Sequence, residues 1–257
     1  MKRKILLIVG GSDLAGAELD GSMDSEYNRA NSFAARLANP GRVFDGYEVI
    51  NAATSGSANS TIVRTALMWF KEEYDPETMD VFVIVGWTES ARMEAPWPEP
   101  LFSKDDTWPF ADFCAQENFL YLNVNVGWEY SDPVQAAKAN DYINFMADNQ
   151  HFFEQLSLNL VMQLQWFLEK QHIPYYMLNT LHMFSKDNKH LEPYYCLLNE
   201  HRYMYYDNNA ESFYTKYKEL GYTNPKAKYW HHGEEPHQLY SQLVESNIHE
   251  FNLLEKP

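Results

Sequence analysis

The chain alternates short apolar runs with longer amphipathic stretches, and that alternation predicts its elements. The runs Lys4–Val9, Tyr47–Asn51, Val81–Val85 and Ile173–Leu178 are short and apolar, as expected of strands buried in a parallel sheet. Between them, helical spacing predicts helices near Glu26–Leu37, Asn59–Glu73, His151–Lys170, Ala210–Leu220 and Pro236–Glu250. In the His151–Lys170 helix, Phe152, Leu156, Leu160, Leu164 and Phe167 recur at helical intervals and predict its core-facing stripe. Strand-helix alternation of this kind predicts an α/β protein, a three-layer α/β/α sandwich of flavodoxin-like type with a mostly parallel sheet. Two stretches fall outside the pattern. Glu94–Asn149, with Trp97, Trp108, Trp128 and several prolines, reads as a long insertion after the third strand, and the tyrosine-dense His182–Asn209 follows the fourth.

Composition narrows the functional classes. The chain has 257 residues, 45% of them hydrophobic, and no Pro/Gly/Ser-rich linker or repeat divides it, so a single domain over 1–257 is expected. A net charge of −16 argues against nucleic acid and anionic membrane surfaces as partners, because phosphate contacts need clustered Lys and Arg. Cys114 and Cys196 are too few for a disulfide framework and lie in no CxxC, so both read as packing thiols. Met1-Lys2-Arg3-Lys4 precedes an apolar run that ends at Val9 in Gly10-Gly11-Ser12, with no cleavage site of a signal peptide. No apolar stretch reaches the ~18–20 residues of a membrane span, so a soluble protein is expected.

Chemistry collects where strands end. GGSDLAG (Gly10 to Gly16) follows the first run directly, which puts Ser12 just past a strand's carboxyl end, where open α/β sheets build their sites. After the second comes the small-residue loop Asn51 to Asn59, and after the third Gly86-Trp87-Thr88-Glu89. Tyr229-Trp230-His231-His232-Gly233-Glu234-Glu235-Pro236-His237 opens the last helix. A serine, backbone donors, a hydroxyl and histidine on one rim are the parts of an acyl-transfer site. A plainer reading makes Ser12 a helix N-cap and His231 and His232 surface residues. Dinucleotide, phosphate-loop and GxSxG elbow motifs are all missing, and the His/Glu cluster matches no standard zinc spacing, so neither metal nor cofactor is expected.

On these residues the chain resembles the SGNH (GDSL-type) hydrolase superfamily, especially its divergent members in tailed phages. The GDS block is similar to Gly10-Gly11-Ser12, with Gly11 where the family has Asp. The second block is similar to Asn51–Gly56, and the third, GxND, to Gly86-Trp87-Thr88-Glu89. The last, DxxHP, is similar to Lys228 to His232, with Lys228 in place of the acid. The resemblance implies Ser12 as nucleophile and His231 as base, with the oxyanion held by Gly56, by Thr88 in place of the asparagine, and by Asn59 as an alternative amide. His237, which keeps the carboxylate spacing in Glu234-Glu235-Pro236-His237, is the rival base, and Glu234 a rival orienter. It implies a small-molecule or glycan ester as substrate, O-acetyl groups included, with the aromatic insertion as a lid or glycan wall. Host cytoplasm or virion would be its place if it is phage-encoded. A degenerate SGNH-fold binding or structural module is the other expectation, motivated by Gly11, Thr88 and Lys228.

Overall fold

The computed structural model describes residues 2–90, 92–97, 120–124, 133–181, 183–184, 188–204 and 212–257. Strands β1 (Arg3–Gly10), β2 (Glu48–Asn51), β3 (Met79–Trp87), β6 (Tyr175–Asn179) and β7 (Tyr203–Met204) form one sheet in the order β2-β1-β3-β6-β7. Every pairing in it is parallel, with Ile8 opposite Asn51 and Gly10 opposite Gly86. Parallel pairing requires a crossover between successive strands, and burial on both faces explains the near-continuous apolar runs.

Alternate residues of β1 serve two cores. Ile5, Leu7 and Val9 pack with Ile62, Ala66 and Trp69 of α3 (Asn59–Glu72) and with Leu158, Val161, Leu164 and Leu168 of α5 (Gln150–Lys170). Leu6 and Ile8 face the other way, onto Leu14, Phe33 and Phe44 and onto Tyr240, Val244 and Ile248 of α8 (Glu234–Glu250). The result is the expected three-layer α/β sandwich. From β1 the chain turns to β2 on one side, then returns to place β3 on the other. This reversal puts a topological switch point at the carboxyl ends of β1 and β3, the place where open α/β sheets bind ligands.

Three local expectations change. The helix expected at Glu26–Leu37 stops after α2 (Glu26–Asn31), because Ser32 is extended and the Phe33 amide is used outside the helix; a 3₁₀ turn follows at Ala35–Ala38. On α5, Phe152 and Leu156 are exposed and the buried face runs through Glu154, Ser157, Leu158, Val161, Gln165 and Leu168. Three of those are polar and satisfied by Asn188, Asn59 and Leu197/Asn199, so apolar periodicity placed Leu160, Leu164 and Phe167 on the core but missed the polar part of the buried face. Cys196 is exposed rather than packed, and Cys114 lies outside the described residues.

Within 94–149, β4 (Met93–Trp97) and β5 (Leu120–Val124) pair antiparallel in a separate two-stranded sheet. Helix α4 (Pro133–Asp148) leads into α5, with the Tyr142 ring 5.8 Å from that of Phe153. The rest of the expected insertion, including Trp108 and Trp128, lies outside the described residues. Among the described residues, no helix is long and apolar enough to cross a membrane.

Candidate active site

Two glycines set the position of Ser12. A Cβ on Gly86 would lie 2.1 Å from Leu14 Cδ1 and 2.8 Å from Thr180 Cγ2, and one on Gly10 would lie 3.0 Å from both Gly86 O and Leu14 Cδ2. Leu14 therefore lies directly on the ends of both strands, and helix α1 (Ser12–Ala15) starts one residue beyond β1. Gly11 is the N-cap and Ser12 the first helical residue, so the N-cap reading of Ser12 does not hold. At that first position the Ser12 amide has no intrahelical acceptor and is available to an anion. Ser12 itself is buried.

The acid that orients His231 is Glu18, only six positions after Ser12 in the chain. Its Oε2 lies 2.7 Å from His231 Nδ1, and both side chains are buried. Its Oε1 accepts from the amides of Lys228 (2.7 Å) and Tyr229 (2.9 Å). Lys228, which the resemblance puts in place of an acid, thus supplies a backbone N–H to Glu18. Burial pushes the Glu18 pKa up, but the hydrogen bonds from His231 and the two amides outweigh it and hold the carboxyl below its ordinary value. Burial pushes the His231 pKa down, and Glu18 only partly restores it.

Strain and anchoring hold Glu18 in place. Its φ of +64° is a left-handed conformation that costs a residue with a Cβ about 1–2 kcal/mol. The turn is closed by Glu18 N–H donating to Ser22 O (2.7 Å), and buried Asn28 accepts from the Asp20 amide and donates to Ser22 O. From the far side, Asn224 Nδ2 donates to Glu18 O at 3.0 Å. Because an ionised carboxylate only accepts, Nδ1 of His231 carries the proton and Nε2 is left as a base. Nε2 is buried and makes no hydrogen bond, so Ser12 Oγ is not hydrogen-bonded to it. The Trp230 ring stacks on His231 at 4.2 Å between centroids. The surface reading of His231 and His232 fails, since both are buried.

Thr88 follows β3 as Ser12 follows β1, and its side chain approaches Gly11: a Cβ there would be 3.9 Å from Thr88 Oγ1. That hydroxyl is buried with no partner. Asn59 does not supply an oxyanion amide. Its Oδ1 accepts from Thr88 N (3.0 Å), and its Nδ2 donates to Thr88 O and to Ser157 Oγ, both at 3.2 Å. Both amide protons are committed, and the residue instead clamps the Thr88 backbone. Gly56 has φ +79° in the turn closed by Ser57 N–H to Thr54 O, and Thr54 N–H donates to Gly10 O (2.9 Å), which ties this loop to the end of β1.

The rival base and orienter sit elsewhere. His237 is fully enclosed, its Nδ1 accepting from the Phe33 amide at 2.9 Å and its ring 4.9 Å from that of Phe213. Burial drives its pKa well below the ordinary value, so it is a neutral core residue. Glu234 is half-exposed, accepts from Tyr27 Oη and pairs with Arg36 Nη2 at 3.2 Å. Sequence reasoning missed Glu18. The available signal was a lone carboxylate inside the apolar stretch Leu14-Ala15-Gly16-Ala17-Glu18-Leu19.

No family model, curated protein or solved structure matches this chain. What the site can do therefore follows from its own geometry.

Proposed function

We propose that the chain is a serine ester hydrolase of SGNH type working through Ser12, His231 and Glu18. The observation that carries this reading is the buried Glu18–His231 pair at 2.7 Å with Nε2 left unpartnered, in a domain whose serine follows β1. His231 Nε2 takes the Ser12 proton as Oγ attacks an ester carbonyl. The Ser12 amide and Thr88 hydroxyl receive the oxyanion beside the Gly56 turn, and Glu18 stabilises the imidazolium. His231 returns the proton to the departing alcohol, and water then cleaves the acyl-enzyme. By resemblance, small acyl esters such as glycan O-acetyl groups are the substrate class.

A second reading, a binding or structural module on a degenerate site, draws on the committed Asn59 amide and the absence of a Ser12–His231 hydrogen bond. Intact mass after treatment with a small fluorophosphonate separates the two. A single adduct on wild type that disappears in Ser12→Ala is expected; folded wild type that gains no adduct overturns the hydrolase reading in favour of the module.

A further inference from the structure

An exposed aromatic ring covers the buried base. Trp230 is 40% exposed, so it is no core anchor, yet it stacks on the buried His231 ring with centroids 4.2 Å apart and planes 28° apart. Neighbouring residues of an extended chain point their side chains to opposite sides, so this stacking needs a bend. The chain bends through residues 228–230, and Glu18 Oε1 holds that bend by accepting from the Lys228 and Tyr229 amides. One carboxylate therefore orients His231 through Oε2 and, through Oε1, fixes the turn that brings Trp230 over it.

A second contact fixes the indole. Tyr214, in the helix Phe213–Glu219, meets Trp230 in a T-shaped arrangement with 4.8 Å between centroids. The Tyr214 amide donates to Thr180 O (3.0 Å), just past β6, and Tyr214 O lies 3.0 Å from His232 Nε2. The indole is thus tied to the rim of the sheet through Tyr214 and to the base through stacking.

The base has a use for such a partner. Burial disfavours the charged His231 ring, Glu18 favours it, and the charges of Arg92 and His232 oppose it. In the mechanism above the ring becomes cationic while still enclosed. An indole face within about 6 Å attracts a cation through the ring quadrupole, whereas an aliphatic cover excludes water without that attraction.

We propose that Trp230 is a positioning residue of this site: its ring face holds the His231 imidazole against Glu18 and stabilises the imidazolium that forms as Ser12 loses its proton. This rests on the hydrolase reading above and adds a residue that acts through the base.

The test compares Trp230→Phe with Trp230→Leu, two variants that open similar space and differ in the aromatic face. The His231 pKa is read by NMR of its ring in each folded variant, without any turnover. It is expected to be at least about half a unit higher in Trp230→Phe, roughly a threefold difference in proton affinity. With p-nitrophenyl acetate as probe, kcat/KM is expected to fall at least about tenfold in Trp230→Leu, and Trp230→Phe to recover most of it, with each acid limb following the NMR value. Trp230→Met stands in if Trp230→Leu does not fold. Equal His231 pKa values in the Phe and aliphatic variants, or an aliphatic variant with wild-type kcat/KM, overturns the proposal. The fluorophosphonate adduct on wild type is read independently. An adduct with equal pKa values sinks this proposal alone, and a pKa difference without an adduct leaves the ring contact but sinks the hydrolase reading on which its catalytic use rests.

Discussion

Two histidines six positions apart in the C-terminal segment are both buried, yet their wiring is opposite. His231 donates a hydrogen bond from Nδ1 to a carboxylate and leaves Nε2 unpartnered. His237 uses Nδ1 to accept from the Phe33 backbone and fills the space between Phe33 and Phe213. Burial alone lowers the pKa of each ring; the partner decides whether the lowered pKa serves chemistry or simply keeps a core residue neutral. The segment between them contains the switch from loop to helix at Gly233, so one ring faces the Glu18 loop and the other the α8 core.

Substitution of each ring tests this contrast most strongly. His231→Asn is expected to lower ester turnover by about 10⁴-fold or more, since a serine without its base loses most of the triad's effect. His237→Asn, which keeps an acceptor for the Phe33 amide, is expected to stay within about tenfold. Comparable losses in the two variants would dissolve the distinction. The carboxylates come next. Glu18→Gln is expected to cost about 10²–10⁴-fold in kcat with a much smaller change in KM, because it disturbs the His231 tautomer rather than substrate contact. Glu234→Gln removes only a half-exposed pairing with Arg36 and Tyr27 and should leave turnover within about twofold. A larger loss from Glu234→Gln than from Glu18→Gln would reverse the assignment of the acid.

pH gives the smallest effects. In the proposed mechanism His231 acts as the neutral base, and burial holds its pKa below the ordinary histidine value, so the acid limb of kcat/KM should lie below that value. An acid limb centred above the ordinary histidine value would contradict a buried base. For stability the sign is the same for His237. The unfolded chain binds the proton at 6.5 while the folded ring resists it, so its contribution is full above that pH and is lost as pH falls. His237→Asn should flatten the decline in denaturation midpoint as pH falls below the ordinary histidine value, leaving the share due to His231 and His232. An unchanged slope would mean that His237 is not the resisting group.

The strands and the nucleophile's position were legible because they rest on local order. The five apolar residues Ile5–Val9 before Gly10 read as a buried strand, and the serine that follows lies at its carboxyl end by chain continuity alone. Glu18 was not legible. Its bond to His231 spans 213 positions, and its neighbours in sequence give no helical or strand period that would aim it there. The resemblance pointed to Lys228 as the acid's position, whereas the carboxylate that meets His231 comes from Glu18 in the loop after α1, with the Lys228 amide donating to it.

Asn59 and His237 show the same limit: both have the right chemistry at plausible spacing, and both are consumed by partners that only packing brings near. Sequence by itself determined the α/β alternation, the strands β1, β2, β3 and β6, and Ser12 at the rim, since these depend on residues within a few positions of one another. Tertiary structure alone decided which carboxylate meets His231, which histidine keeps an unpartnered Nε2, and that Asp13 is buried without a partner. Each of those depends on the sheet order that sets β1 beside β3 and on the loop that folds back over Glu18.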